Sequence, residues 1–325
     1  ITSPKTLDYT KSNVRVKDLI NKELVLFSIA DNVRSIPSLV DGLKPSQRKI
    51  IYACIKRNLY SEIKVSQLAG YVSEVSSYHH GEASLQDTII GLSQTFVGSN
   101  NMNLLEPVGQ FGTRLLGGKD SSSPRYIFTH LSKNFKNLFN SNDFSTLNYL
   151  DDDGFSIEPS FYVPVLPLIL INGACGIGTG FSTDIPCFNP DDLKDRLLKL
   201  VEDPDSDIQE LMPWYKGFTG KITKIEENRW TTQGVYKIES NTVTITELPI
   251  GTWTEDYKSH LDKLETENEI YSYTNKSTET DVHFEIKIPL ENIVNSRDNR
   301  EFEKKLKLTS NLSAKNIHVF NEKNE

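Results

Sequence analysis

Three amphipathic stretches crowded into the first 76 residues, parted by short breaks, leave this chain room only for short helices packed on one another. From Val16 to Val33, Leu19, Ile20, Leu24, Phe27 and Ile29 recur at close to helical spacing, and the stretch ends near Arg34-Ser-Ile-Pro37. Lys44-Pro45-Ser-Gln-Arg-Lys49 opens a second helix. Pro45 suits its first position, where a missing N–H costs nothing, and Ile50, Ile51, Cys54 and Ile55 form its inner side. A third, from Lys64 to Ser76, turns Val65, Leu68, Ala69, Val72 and Val75 inward and leaves Lys64, Ser66, Gln67, Tyr71 and Ser73 outside. Two short helices on a tight connection, followed later by a strand pair, predict a helix-turn-helix of the winged type.

Further on, a helix is predicted from Ser84 to Phe96, and Gly109 to Gly118 reads as loop with short strands. Lys119 to Pro124 is polar and flexible in this reading, and Arg125 to Thr129 is a β segment. Asn189-Pro190-Asp-Asp supplies an N-cap, a first-turn proline and two acids, so Leu193 to Val201 is helical. From Gly217 the alternation in Lys221 to Ile225, Val235 to Ile238 and Val243 to Ile245 predicts an antiparallel sheet. A helix from Thr252 to Leu264 and a strand from His283 to Ile288 complete a mixed α/β second half. The fold class is α+β, without an internal repeat.

No apolar run approaches the roughly 20 residues that a membrane span requires. The longest, Phe161 to Ile171, is broken by Pro164 and Pro167, so no membrane partner is expected. Cys54, Cys175 and Cys187 lack CxxC spacing, which points to free thiols in a reducing compartment. The chain opens on Ile-Thr-Ser-Pro-Lys without an initiator Met or a signal-type segment, the pattern of a piece of a longer polypeptide. A net charge of −8 by itself argues against a polyanionic partner. Yet residues 1 to 140 hold 17 Lys and Arg against 11 Asp and Glu, while the remainder holds 19 against 33. The positive field is confined to the N-terminal part, where a polyanion would dock.

Lys44, Arg48 and Lys49 sit where the positive end of a helix dipole disfavours cations. A phosphate at that helix start would reverse the conflict; the alternative is that the long side chains reach into water. Arg34 and Lys64 extend the cationic surface. Tyr126 follows Arg125 and the loop Gly117 to Pro124, which would expose a phenol beside a guanidinium; the alternative is a packing tyrosine in a β segment. A phenol is mostly protonated at neutral pH, so a nucleophilic one needs nearby cations, which favour the phenolate and a pentacovalent phosphate alike. His79-His80 lacks a third ligand at metal spacing, so hydrogen bonding to phosphate or acid–base work is expected of it. Asp151-Asp-Asp-Gly154 reads as an acidic solvated turn rather than a magnesium site. Gly173 to Gly180 looks like a nucleotide-binding glycine loop, but Pro186 and Pro190 forbid the long helix such a loop needs. It reads instead as a flexible turn presenting Ile177, the kind of apolar wedge that kinking proteins insert between base pairs.

Taken together, these segments resemble eukaryotic topoisomerase II, a type IIA DNA topoisomerase. The resemblance runs through Ile20-Asn-Lys-Glu-Leu-Val-Leu-Phe27, Asp31 to Lys49, Tyr78-His-His-Gly-Glu82, Phe111-Gly-Thr-Arg114, Gly117-Gly-Lys-Asp120, Arg125-Tyr126 and Asn172 to Gly180. It continues through Pro213-Trp-Tyr-Lys-Gly217 and Thr246 to Trp253, and so covers nearly the whole chain. It implies a connector from a Toprim domain at 1–15, a winged-helix domain at 16–165 and a tower domain at 166–325. By the same resemblance, Tyr126 forms a 5′-phosphotyrosyl link with Arg125, Arg34 and His80 around the scissile phosphate, and Ile177 is the intercalating wedge. Lys44, Arg48 and Lys49 would contact the backbone of double-stranded DNA, with Lys64, Gln67, His79 and Lys119 completing that surface. Mg2+ and ATP are expected in domains outside these residues, and a homodimer in the full-length enzyme.

The chain departs from the family pattern at Ser121-Ser-Ser-Pro124, Cys175 and Phe181, which suggests a divergent protist or viral member. The compartment would be the nucleus of a cellular eukaryote, or cytoplasmic replication sites for a virus. Two rivals stay open: a non-enzymatic winged-helix DNA-binding protein, and a nuclease using Asp151 to Asp153 for metal-assisted hydrolysis.

Overall fold

The computed structural model describes residues 7–8, 10, 13–207, 210–289, 299–323 and 325. Most of the expected connector at 1–15 lies outside them. Val16–Leu19, Ile20–Leu24 and Val25–Ser35 run on as one helix with a π-helical turn in its middle. Its apolar face is exposed, not buried: Leu19, Ile20, Leu24 and Phe27 all face solvent. Periodicity marks a face but not what covers it.

The next helices do bury their apolar sides. Pro45–Lys56 begins at the expected proline and buries Ile50, Ile51 and Cys54. Val65–Ser76 buries Val65, Leu68, Ala69 and Val72, and Glu82–Ser93 buries Leu85, Ile89 and Ile90. Against them lies an antiparallel sheet of β1 (Ile63–Lys64), β2 (Leu105–Val108) and β3 (Phe128–Leu131), in the order β1-β3-β2. Three helices with a small sheet are the predicted winged-helix arrangement.

This first core extends to Leu168, Ile171, Phe188 and Leu193, so it continues past the expected boundary at 165. The helix Pro190–Glu202 is capped as expected, with the Asn189 side chain accepting from the Asp191 N–H. The single sheet predicted from Gly217 onward is two sheets. One has the order β14-β9-β8, with β8 Lys221–Glu226, β9 Arg229–Gln233 and β14 Thr309–Ser313. The other has the order β10-β11-β13-β12, with β10 Val235–Glu239, β11 Thr242–Glu247, β12 Ser272–Asn275 and β13 Phe284–Lys287. The chain changes sheets at Gly234, where an added Cβ would lie 2.3 Å from the Glu247 carbonyl oxygen. The second sheet packs on the helix Thr254–Thr266 through Val243, Ile245, Tyr257, Leu261 and Phe284.

The two halves meet at a buried ion pair between Arg114 and Glu247. The C-terminal segment also returns to the first half, where the Leu39 N–H donates to the Phe320 carbonyl at 2.8 Å and the Phe320 N–H to that of Pro37 at 3.0 Å. Among the described residues, no helix is long and apolar enough to cross a membrane.

Candidate functional site

Tyr126 sits in a turn immediately before β3 rather than within a strand, and its side chain is 76% exposed. The next residue, Ile127, is buried, so the chain reverses from solvent to core in one step. The turn is anchored on the start of the Val65–Ser76 helix, whose first N–H groups lack partners within the helix. The Val65 N–H donates to the Ile127 carbonyl at 3.0 Å, the Ser66 N–H to that of Pro124 at 3.1 Å, and the Tyr126 N–H closes the turn on Ser123 at 2.9 Å. The preceding loop is more ordered than its polar sequence suggests. Asp120 accepts from the Thr113 N–H at 2.9 Å and from the Thr113 hydroxyl, and the Ser122 N–H donates to the Gln110 carbonyl at 2.9 Å. A bulky phenol on a fixed turn, beside the exposed Arg125, is placed to meet a ligand from outside.

The glycine stretch is an antiparallel hairpin, not a flexible turn. β6 (Ala174–Ile177) pairs with β7 (Ser182–Ile185), and Ile177 projects at the tip, 80% exposed. The hairpin leans on the end of the first helix. The Thr179 hydroxyl donates to Asp31 Oδ2 at 2.9 Å, and Asn32 Nδ2 donates to the Thr179 carbonyl at 3.2 Å. Asp31 Oδ1 in turn accepts from Arg34 Nη2 at 2.7 Å. Lys44 Nζ donates to the Cys175 carbonyl at 2.7 Å, and partial burial lowers its pKa while the neighbouring Cys175 opposes that shift. All three cysteines are free thiols; burial pushes Cys54 and Cys187 up to about 12, whereas Cys175 is exposed.

Two predicted DNA contacts are overturned. Arg48 lies inside the protein, paired to Asp41 at 2.8 and 2.9 Å, with the two side chains 8% and 0% exposed. Lys49 is held by Glu158 at 2.9 Å and by the Ser76 carbonyl. The conflict between these cations and the helix dipole is resolved by buried carboxylates, which leaves neither cation free for a phosphate. Lys44 reaches Cys175 instead of solvent. By contrast Arg34, Lys64, Gln67, His79, His80, Lys119 and Arg125 are all exposed. The His80 ring packs edge-on against Tyr78, and His79 Nε2 lies 3.6 Å from Asp152. Among the described residues, neither Arg34 nor His80 has a hydrogen bond, ion pair or ring contact with Tyr126.

The acidic turn caps the hairpin of β4 (Tyr149–Asp152) and β5 (Phe155–Pro159). Asp153 and Gly154 take the positive φ values of +51° and +85° that a two-residue hairpin turn requires. Asp151 accepts from the Gly154 N–H at 3.1 Å, so its carboxylate closes the turn. Among the described residues, no group of three His, Cys, Asp or Glu side chains is arranged to hold a metal ion.

The family model for the DNA gyrase/topoisomerase IV A-type polypeptide matches residues 34–325. The chain belongs to that family. Within it, the similar proteins are eukaryotic DNA topoisomerase 2 sequences. That of Penicillium chrysogenum is 46% identical over 97% of this chain and 20% of its own length. The mitochondrial DNA topoisomerase 2 of Dictyostelium discoideum is 48% identical over 96% of this chain and 24% of its own length. The chain therefore spans between a fifth and a quarter of these relatives. The crystal structure of the Plasmodium falciparum topoisomerase II DNA-binding, cleavage and re-ligation domain superposes with a TM-score of 0.90 at 44% identity. It covers 98% of this chain, which covers 44% of that one. The resemblance drawn from the motifs and the α+β class both stand.

Sequence reasoning passed over Asp31, Asn32 and Thr179, which hold the hairpin of this topoisomerase II relative against its first helix. A local signal existed for Asp31, three residues before Arg34 on a helix, where opposite charges meet. Nothing local could have linked either residue to Thr179, 148 positions from Asp31.

Proposed function

We propose that this chain is the DNA breakage-and-rejoining core of an ATP-dependent type II DNA topoisomerase that cuts both strands of a duplex and reseals them after strand passage. The carrying observation is the exposed Tyr126 phenol on its anchored turn, with Arg125 beside it. The phenolic oxygen attacks a backbone phosphorus and loses its proton. The bond from phosphorus to the 3′ oxygen breaks, and that oxygen leaves as a protonated hydroxyl, with the 5′ phosphate now on tyrosine. Reversal restores the phosphodiester without an external energy source, because the new ester conserves its energy. Arg125 and Arg34 stabilise charge on the phosphate, and His80 serves it by hydrogen bonding.

Exposed Lys64, Gln67, His79 and Lys119 contact the double-stranded DNA, and Ile177 wedges into it. We read the chain as a winged-helix part, 16–165, followed by a tower part, 166–325. A bound Mg2+ would supply charge at the leaving oxygen. The carboxylates present here do not fit it, since Asp151 closes its own turn, so we assign Mg2+ to a Toprim domain and ATP to an ATPase domain elsewhere in a homodimeric enzyme. The enzyme would work where its DNA is, in the nucleus or, as the name of one relative has it, in the mitochondrion. In the full-length protein, Tyr126→Phe is expected to bind DNA normally and form no covalent complex. Covalent complexes that persist would overturn the assignment.

A further inference from the structure

We infer that Asp31 is a positioning residue that ties Arg34 to the loop carrying the Ile177 wedge, so that seating the wedge in DNA and aligning the arginine become one event. This rests on the proposed cleavage chemistry and adds a coupling between its two parts. The two oxygens of Asp31 face different partners: Oδ1 accepts from Arg34 at 2.7 Å and Oδ2 from the Thr179 hydroxyl at 2.9 Å. The carboxylate is 16% exposed and the guanidinium 60%, so the acid is held within the protein while the arginine faces outward. Only one bond from the guanidinium to the protein is described, which leaves the other N–H groups of the fork for an anion.

The loop is fixed to this helix at more than one point. Asn32 Nδ2 donates to the Thr179 carbonyl at 3.2 Å. Two glycines permit the approach: a Cβ on Gly178 would lie 2.1 Å from Asn32 Oδ1, and one on Gly176 would lie 2.0 Å from the Ser35 carbonyl oxygen. Ile177 stands between those glycines, two residues from Thr179. A force on the wedge therefore reaches the Thr179 hydroxyl through a short hairpin tip, and through Asp31 it reaches Arg34. Such a pair on an exposed helix contributes little to stability, so its geometry serves alignment rather than folding.

The test uses the full-length enzyme on duplex DNA, with covalent complex formed at saturating DNA, DNA affinity, and bending by energy transfer between duplex ends as readouts. Thr179 is exposed, so Thr179→Val leaves the fold intact. Covalent complex is expected to fall about fivefold, the scale of one hydrogen bond to a charged group near solvent, with affinity and bending unchanged. Thr179→Ser restores the yield, and Asp31→Asn lowers it as Thr179→Val does. In an Arg34→Ala background, Thr179→Val has no further effect, because the link then has nothing to align. Full yield in Thr179→Val, or losses that multiply independently with those of Arg34→Ala, would overturn the coupling. Tyr126→Phe in the same assay separates the two readings: if it abolishes the complex while the losses multiply, the coupling alone falls, and if complexes persist, the cleavage reading falls with it.

Discussion

The start of the Pro45–Lys56 helix and the tip of the β6–β7 hairpin were both marked in the sequence by side chains out of place, cations at a positive helix end and a large apolar residue among glycines. In the fold they part ways. Arg48 and Lys49 turn inward onto Asp41 and Glu158, and the anomaly disappears into the core. Ile177 stays in solvent at a tip braced by Asp31, Asn32 and Lys44, and the anomaly remains. An improbable residue points to a ligand only where the fold fails to give it a partner.

The strongest way to break this comparison is Arg48→Ala. It strands Asp41 in a buried site, and a loss of about 3–5 kcal/mol is expected by urea denaturation. Unchanged stability would show that the pair is not a core element. Next is Gly176→Ala, whose Cβ would meet the Ser35 carbonyl oxygen at 2.0 Å. Pushing the hairpin off the helix should cost about 1–3 kcal/mol, and bending should weaken even with Ile177 present. Normal bending in that variant would mean that the brace is irrelevant to the wedge. Ile177→Ala should move stability by less than about 0.5 kcal/mol, as an exposed site does, yet reduce bending measured by energy transfer. A substantial fall in melting temperature would make Ile177 a packing residue after all. The smallest effect is expected of Lys64→Ala, which should weaken DNA binding evenly across sequences and lower the slope of log affinity against log salt by about 1. An unchanged slope would remove Lys64 from the interface.

Much of the fold was legible because its signals are local. Pro45 at a helix start and Asn189 as a cap act within one turn, and the β segments after Gly217 show their alternation directly. The misreadings concern what lies opposite. The first helix has its expected period but no partner for Leu24 or Phe27 among the described residues, and the predicted sheet divides at Gly234 because the chain there passes close to Glu247. The exposed Tyr126 was foreseen beside Arg125, whereas its anchoring by the Val65 and Ser66 N–H groups depends on a loop landing on a helix some 60 residues away.

By itself, the sequence determined the helix starts, the strand periods, the motif order that identifies the family, and the presence of Arg125-Tyr126 and a glycine-flanked Ile177, since each depends on residues within a few positions. Tertiary structure alone decided that Arg48 and Lys49 are internal, that the glycine stretch is a braced hairpin and that Asp31 stands between Arg34 and Thr179. Whether a charge faces water or a carboxylate depends on which distant segment packs over it, and desolvation then sets whether that charge is structural or available to a ligand.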